Sequence, residues 1–159
     1  MESEIATATL RALRRVLRES ERSTRKLAIA TGLTPSQLMV LREIDGRGEV
    51  TPGVVAQRLR FSHATITAIV DRLEAHGLVV RLRSEQDKRR MLLHATDKGR
   101  QCLAEAPDIL QEIFAARFTT LPEWEQAMIL AGTERLAVIL GATDTDAAPL
   151  LDSGAIDRA

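Results

Sequence analysis

The segment from Thr51 to Gly99 constrains the fold of this chain more than any other. Thr51-Pro52 and Ser62 predict two helix starts, since a hydroxyl can accept the first free amide and proline suits the first helical position. Apolar residues recur at helical spacing after Ser62, and Gly77 supplies the left-handed residue that ends many helices. The stretch 78–96 then predicts two strands around a charged tip. The predicted order is therefore short helix, second helix and β-hairpin.

Charge is segregated along the chain, although the formal net charge is zero. Residues 51–100 carry 10 basic and 5 acidic side chains, whereas residues 101–159 carry 3 and 10. The basic segment contains the second helix and the hairpin, where a phosphate backbone would be attracted. A helix that can enter the major groove, followed by a basic hairpin that can reach the minor groove, is the outline of a winged helix-turn-helix.

The flanking segments are predicted to be helical. Helices are expected over residues 4–30, from Thr34 to about Asp45, and from about Pro122 to Gly141. A further helix begins after Thr96 and runs towards Phe118, but Pro107 removes one of its hydrogen bonds and predicts a kink or break near Ala104. The expected fold class is mainly α with a small β-hairpin wing.

Three segments in this order resemble the multiple-antibiotic-resistance regulator (MarR) family of winged helix-turn-helix transcription factors. They are VAQRL, SHATITAIVDRLEAHGLVVR and DKRRMLLHATDKG. LTPSQLMVLREI resembles the second helix of that family, and LPEWEQAMILAGTERLAVIL resembles its last, dimer-forming helix. The resemblance spans roughly residues 5–140.

The resemblance implies a homodimer that binds a pseudo-palindromic operator in double-stranded DNA. It also implies a repressor released by a small-molecule effector, whose contacts the sequence does not single out. The expected division is 1–33 as an N-terminal dimerisation helix, 34–96 as the DNA-binding lobe, 97–141 as C-terminal dimerisation helices and 142–159 as a disordered tail. On this view Leu10, Leu13, Leu17 and Trp124 pack in the dimer, while the arginines of the first helix stay solvated.

Two groups of residues are expected to contact DNA. In the recognition helix the exposed positions should meet base edges and nearby phosphates; they are Ser62, His63, Ala64, Thr65 and Thr67. In the wing, Asp87-Lys88-Arg89 matches the family's Asp-x-Arg motif, which implies that Arg89 enters the minor groove and that Asp87 holds its loop in shape. Further phosphate contacts are expected from Arg72, Arg81, Arg83, Lys88 and Arg90.

Other functional classes find little support. His76, His94 and Cys102 lack metal-ligand spacing, so neither a metal nor another cofactor is expected. We find no nucleophile–base–acid arrangement and no phosphate loop, so an enzyme is not expected. The single cysteine, the absence of a signal-peptide core and the lack of a run of about 18 apolar residues favour the cytoplasm and no membrane contact. The alternative reading is a winged-helix protein-interaction module with only non-specific affinity for DNA.

Overall fold

The computed structural model describes residues 4–142 and confirms a mainly helical fold with one β-hairpin. In chain order the elements are α1 (Glu4–Thr31), α2 (Pro35–Arg47), α3 (Pro52–Leu59), α4 (His63–Ala75), β1 (Val79–Arg83), β2 (Met91–Ala95), α5 (Asp97–Glu105), α6 (Leu110–Phe118) and α7 (Glu123–Ile139). The predicted disordered tail lies outside the described residues, apart from Ala142.

The predicted helix starts are confirmed, because each is determined by residues close together in sequence. At α2 the Thr34 hydroxyl accepts the Gln37 N–H at 3.3 Å, and the Gln37 side chain accepts the Thr34 N–H at 3.0 Å. The Thr51 hydroxyl accepts the Val54 N–H at the start of α3. α2 ends two residues later than expected, since Gly48 and not Gly46 adopts the positive φ that stops it.

Pro107 breaks the helix that follows the hairpin, as predicted. α5 ends at Glu105, and Ala106 has extended backbone angles, which is the conformation favoured before proline. α6 then begins at Leu110, with the Glu112 carboxylate accepting the Ile109 N–H at 3.3 Å. The chain therefore has two short helices between the hairpin and α7.

The chain divides into two compact units. One comprises Thr24–Pro107; the described parts of the other are residues 4–23 and 108–142. In the first unit α2 packs against α3, α4, α5 and β2, and α4 packs against β1. Its buried side chains include Leu38, Leu41, Ile44, Val55, Ile66, Ile69, Val70, Leu73, Leu78, Val79 and Leu93. The division expected at 33/34 and 96/97 stays a prediction.

The hairpin is a regular antiparallel pair. β1 and β2 run in register from Val79 opposite Ala95 to Arg83 opposite Met91. Val50, just before α3, adds a bridge to β2 through the Leu93 N–H, which donates to its carbonyl at 2.7 Å. The root of the hairpin is thereby attached to the helical core, while its tip extends into solvent.

Candidate nucleic-acid interface

The N-terminal turn of α4 is capped and presents a polar surface. The Ser62 hydroxyl accepts the Thr65 N–H at 3.0 Å and lies 2.7 Å from the Thr65 hydroxyl. The Thr67 hydroxyl donates to the His63 carbonyl at 2.9 Å. Ser62, His63, Ala64 and Thr67 are exposed, and Thr65 is half-buried. The opposite face of α4 is the expected apolar stripe of Ile66, Ile69, Val70 and Leu73, all buried.

A tight turn sets α3 against α4. Arg60 adopts the left-handed conformation at the end of α3, with φ 55°, and the Phe61 N–H donates to Ala56 O at 3.0 Å. Across this turn a β-carbon built on Gly53 would lie 3.4 Å from Cε1 of His63. The imidazole therefore lies beside the first turn of α3, and the small residue there leaves room for it.

The tip of the hairpin is shaped by Asp87. Its carboxylate accepts the Arg89 N–H at 3.0 Å and lies 3.7 Å from Nε of Arg90. The Arg90 N–H donates to the Asp87 carbonyl at 2.9 Å, and the Ser84 N–H donates to the Arg90 carbonyl at 3.0 Å. This network bends the chain so that Lys88 and Arg89 project from its outer end, both exposed. Among the described residues no ion pair is found for Arg83, Lys88 or Arg89.

Arg81 is held differently from the other arginines of the wing. Its guanidinium donates to Asp71 at 2.6 Å and to Glu74 at 2.5 Å, both on α4, and its side chain is only 24% exposed. Partial burial alone would lower the pKa of Arg81, but the hydrogen bond to Asp71 and the charge of Glu74 outweigh it and raise the pKa. Arg81, expected from the sequence to contact a phosphate, is thus the ion-pair partner of Asp71 and Glu74 in the structure. Arg72, the last of the expected phosphate contacts, is exposed on α4.

The C-terminus of α4 is held by residues around the start of α5. The Thr96 hydroxyl donates to Gly77 O at 2.7 Å, the Thr96 N–H to Leu78 O at 3.0 Å, and Nζ of Lys98 to His76 O at 2.7 Å. The Thr96 hydroxyl also accepts the Gly99 N–H and so caps α5 as predicted. This junction was not predicted from the sequence, although Gly99, three residues after the helix cap, is a signal that two backbones come close there.

Neither a metal-binding cluster nor a membrane span is found among the described residues. Within residues 4–142 no three side chains of His, Cys, Asp or Glu are grouped so that they could bind a metal ion, and none of the helices combines the length and the apolar composition of a membrane span. Cys102 is half-buried; burial raises the pKa of its thiol, and the nearby charge of Glu105 raises it further. A neutral thiol is neither a good nucleophile nor a metal ligand.

Comparisons with known proteins agree with this geometry. A family model described as the MarR family matches residues 31–90. The chain is 30% identical over 106 residues to the HTH-type transcriptional repressor MdtR of Bacillus subtilis (strain 168), an alignment that covers 67% of this chain and 68% of that protein. An uncharacterized HTH-type transcriptional regulator of the same organism, YkoM, is 30% identical over 99 residues, which cover 62% of this chain and 64% of that protein.

Solved structures show the same fold. A MepR-like protein complexed with pseudoligands superposes with a TM-score of 0.59 at 28% identity, covering 84% of this chain and 96% of that one. The S. aureus MepR–DNA complex gives a TM-score of 0.58 at 20% identity, with coverages of 85% and 97%. With the capped recognition helix and the basic hairpin, these matches show that the chain belongs to the MarR family of winged helix-turn-helix, DNA-binding transcriptional regulators.

Proposed function

We propose that this protein is a sequence-specific repressor that binds a pseudo-palindromic operator as a homodimer and is released by a small-molecule effector. The observation that carries the proposal is the exposed, capped turn of α4 beside a hairpin whose tip presents Lys88 and Arg89 without an ion-pair partner among the described residues. As a DNA-binding regulator it acts where the DNA is, in the cytoplasm, and it performs no catalysis.

DNA recognition is divided between two elements. The hydroxyls, imidazole and methyl group on the first turn of α4 suit hydrogen bonds and thymine-methyl contacts in the major groove. Arg89 enters the adjacent minor groove, where negative potential is concentrated. Arg83, Lys88 and Arg90 contact phosphates and fix the register without reading bases. The Asp87 carboxylate supports this arrangement because it holds the backbone of Arg89 at 3.0 Å.

Dimerisation is supported by apolar surface on the unit formed by residues 4–23 and 108–142. Of its described residues only Ser20 and Ile109 are buried, so most of its apolar side chains are exposed in a single subunit. Soluble monomers rarely expose large apolar patches. The exposed large apolar residues of this unit are Ile5, Leu10, Val16, Leu17, Phe114, Trp124, Met128, Ile129, Leu130, Val138, Ile139 and Leu140. A second copy of the chain is the partner that gives a two-fold assembly matching a pseudo-palindromic site.

Repression and effector release rest on the relatives. One relative is named a transcriptional repressor, and one structural neighbour was solved with pseudoligands. An effector that binds more tightly to the arrangement of the dimer that does not fit the operator shifts the population towards that arrangement. By linkage, operator binding lowers the affinity of the protein for the effector.

Selection of targets from a random duplex pool tests the proposal, followed by titration of the selected site at several salt concentrations. We expect an inverted repeat with half-site centres about one helical turn apart, and an affinity that falls steeply with salt because phosphate contacts release counterions. Shuffled DNA of the same composition is the control. Equal affinity for selected and shuffled DNA would favour the alternative, a protein-interaction module with non-specific DNA affinity.

A further inference from the structure

Two arginines on the same face of β1 have different surroundings. Arg81 and Arg83 are two residues apart, so their side chains leave the strand on the same side. Arg81 is half-buried and bridges two carboxylates of α4, whereas Arg83 is exposed and forms no ion pair with the described residues. An arginine in a DNA-binding hairpin can hold the hairpin against a neighbouring helix or contact a phosphate. The surroundings of Arg81 suit the first role, and those of Arg83 suit the second.

The contacts of Arg81 disfavour a phosphate at the same guanidinium. One terminal nitrogen donates to Asp71 and the other donates to Glu74, so each terminal nitrogen already has a carboxylate partner. Two carboxylates around one guanidinium give the cluster a net negative charge. A phosphate approaching it would be repelled unless one of these hydrogen bonds broke.

The same contacts join two elements that approach different grooves. Asp71 and Glu74 lie on α4, which carries the recognition residues at its N-terminal end, and Arg81 lies in the middle of β1, which leads to the wing tip. Charge-assisted hydrogen bonds are shorter and stronger than neutral ones, and two of them from one planar guanidinium fix its orientation. They restrict the angle between helix and hairpin.

We infer that Arg81 is a positioning residue, which together with Asp71 and Glu74 sets the distance between the major-groove and minor-groove contacts and does not itself neutralise a phosphate. The inference rests on the proposed function and replaces the phosphate contact expected for Arg81 from the sequence. It assigns discrimination between DNA sequences to a cluster that touches no base.

The first test compares Arg81→Gln with its matched control, Arg83→Gln, on the selected operator and on shuffled DNA. Arg83→Gln should flatten the plot of log affinity against log salt by about 1.8 per dimer, since each lost phosphate contact contributes about 0.9. On shuffled DNA, Arg81→Gln should keep the wild-type slope, because Arg83, Lys88 and Arg90 can still contact phosphates where no fixed register is required. The ratio of operator to shuffled affinity should fall about tenfold, which corresponds to about 1.4 kcal/mol. An Arg81→Gln slope as flat as that of Arg83→Gln would overturn the inference.

The second test removes negative charge from the cluster, whereas Arg81→Gln removes positive charge. The double variant Asp71→Asn, Glu74→Gln removes two negative charges near the DNA and frees Arg81. Electrostatics alone predicts tighter binding to every sequence. The positioning role predicts that shuffled DNA binds more tightly while the operator-to-shuffled ratio falls. A tighter operator complex with an unchanged ratio would contradict the inference.

A measurement without DNA separates this inference from the proposed function. Amide hydrogen exchange of residues 79–95 should quicken in Arg81→Gln and not in Arg83→Gln, with circular dichroism to verify that both variants fold. Equal exchange in the two variants would refute the anchoring role. If the wild-type protein selects no operator, the proposed function fails, and the exchange rates still decide whether Arg81 anchors the hairpin.

Discussion

The backbone of Gly99 lies directly against the backbone of Leu78. A β-carbon built on Gly99 would be 2.3 Å from the Leu78 carbonyl oxygen, closer than any real carbon–oxygen contact. This is the junction where the end of α4 and the start of β1 meet the first turn of α5. Glycine is required there because the neighbouring atom belongs to the main chain, which cannot move aside as a side chain can.

Replacement of Gly99 by alanine should therefore destabilise the compact unit Thr24–Pro107. We expect Gly99→Ala to lower the free energy of unfolding by about 1–3 kcal/mol, the usual range for overpacking a tight site. The matched control is Gly46→Ala in α2, where a β-carbon meets nothing within 4 Å and helix propensity favours alanine by up to about 1 kcal/mol. Urea denaturation of both variants checks this. Equal stabilities would show that the junction can relax.

How much could be predicted from the sequence depends on the separation of the interacting residues. The caps at Thr34, Thr51, Ser62 and Thr96 were predicted because each accepts an amide three residues further on. The bridge from Arg81 to Asp71 and the contact between Leu78 and Gly99 were not, since both depend on how a helix, a strand and a second helix meet in space. Sequence patterns identify the elements and their buried faces, but not the pairing of two charged side chains on different elements.

Arg89 should be needed for operator binding and not for folding. Its side chain is exposed at the wing tip, so Arg89→Ala should change the free energy of unfolding by less than about 0.5 kcal/mol. Loss of a minor-groove arginine should weaken operator binding by about 1–3 kcal/mol per subunit. Fluorescence anisotropy with labelled operator measures the affinity, and Arg25→Ala, an exposed arginine on α1, is the control. Equal affinities for the two variants would remove Arg89 from the interface.

Trp124 should report assembly of the dimer. It is the only tryptophan of the chain, and the residue is 67% exposed in the single subunit. Burial against a second copy should shift its emission to the blue at high protein concentration, and dilution should reverse the shift. Leu130→Glu, which places a charge at another exposed apolar position of α7, should keep the emission red-shifted and the sedimentation monomeric. Glu134→Gln on the same helix serves as control. A blue-shifted, dimeric Leu130→Glu variant would exclude this position from the interface.

Cys102 should react slowly in the folded protein. Burial raises the pKa of its thiol, the charge of Glu105 adds to the effect, and Lys98 only partly opposes it. Because the thiolate is the reactive form, alkylation by iodoacetamide near neutral pH should be slower in buffer than in urea.

The raised pKa of the Cys102 thiol also makes the free energy of unfolding depend on pH. The native state keeps this proton to higher pH than the unfolded chain, so the stabilisation is fully present below the unfolded pKa and is lost as pH rises through the folded one. Cys102→Ser should remove both the alkylation and this part of the pH dependence. Alkylation as fast in buffer as in urea would show that the thiol is neither shielded nor held neutral.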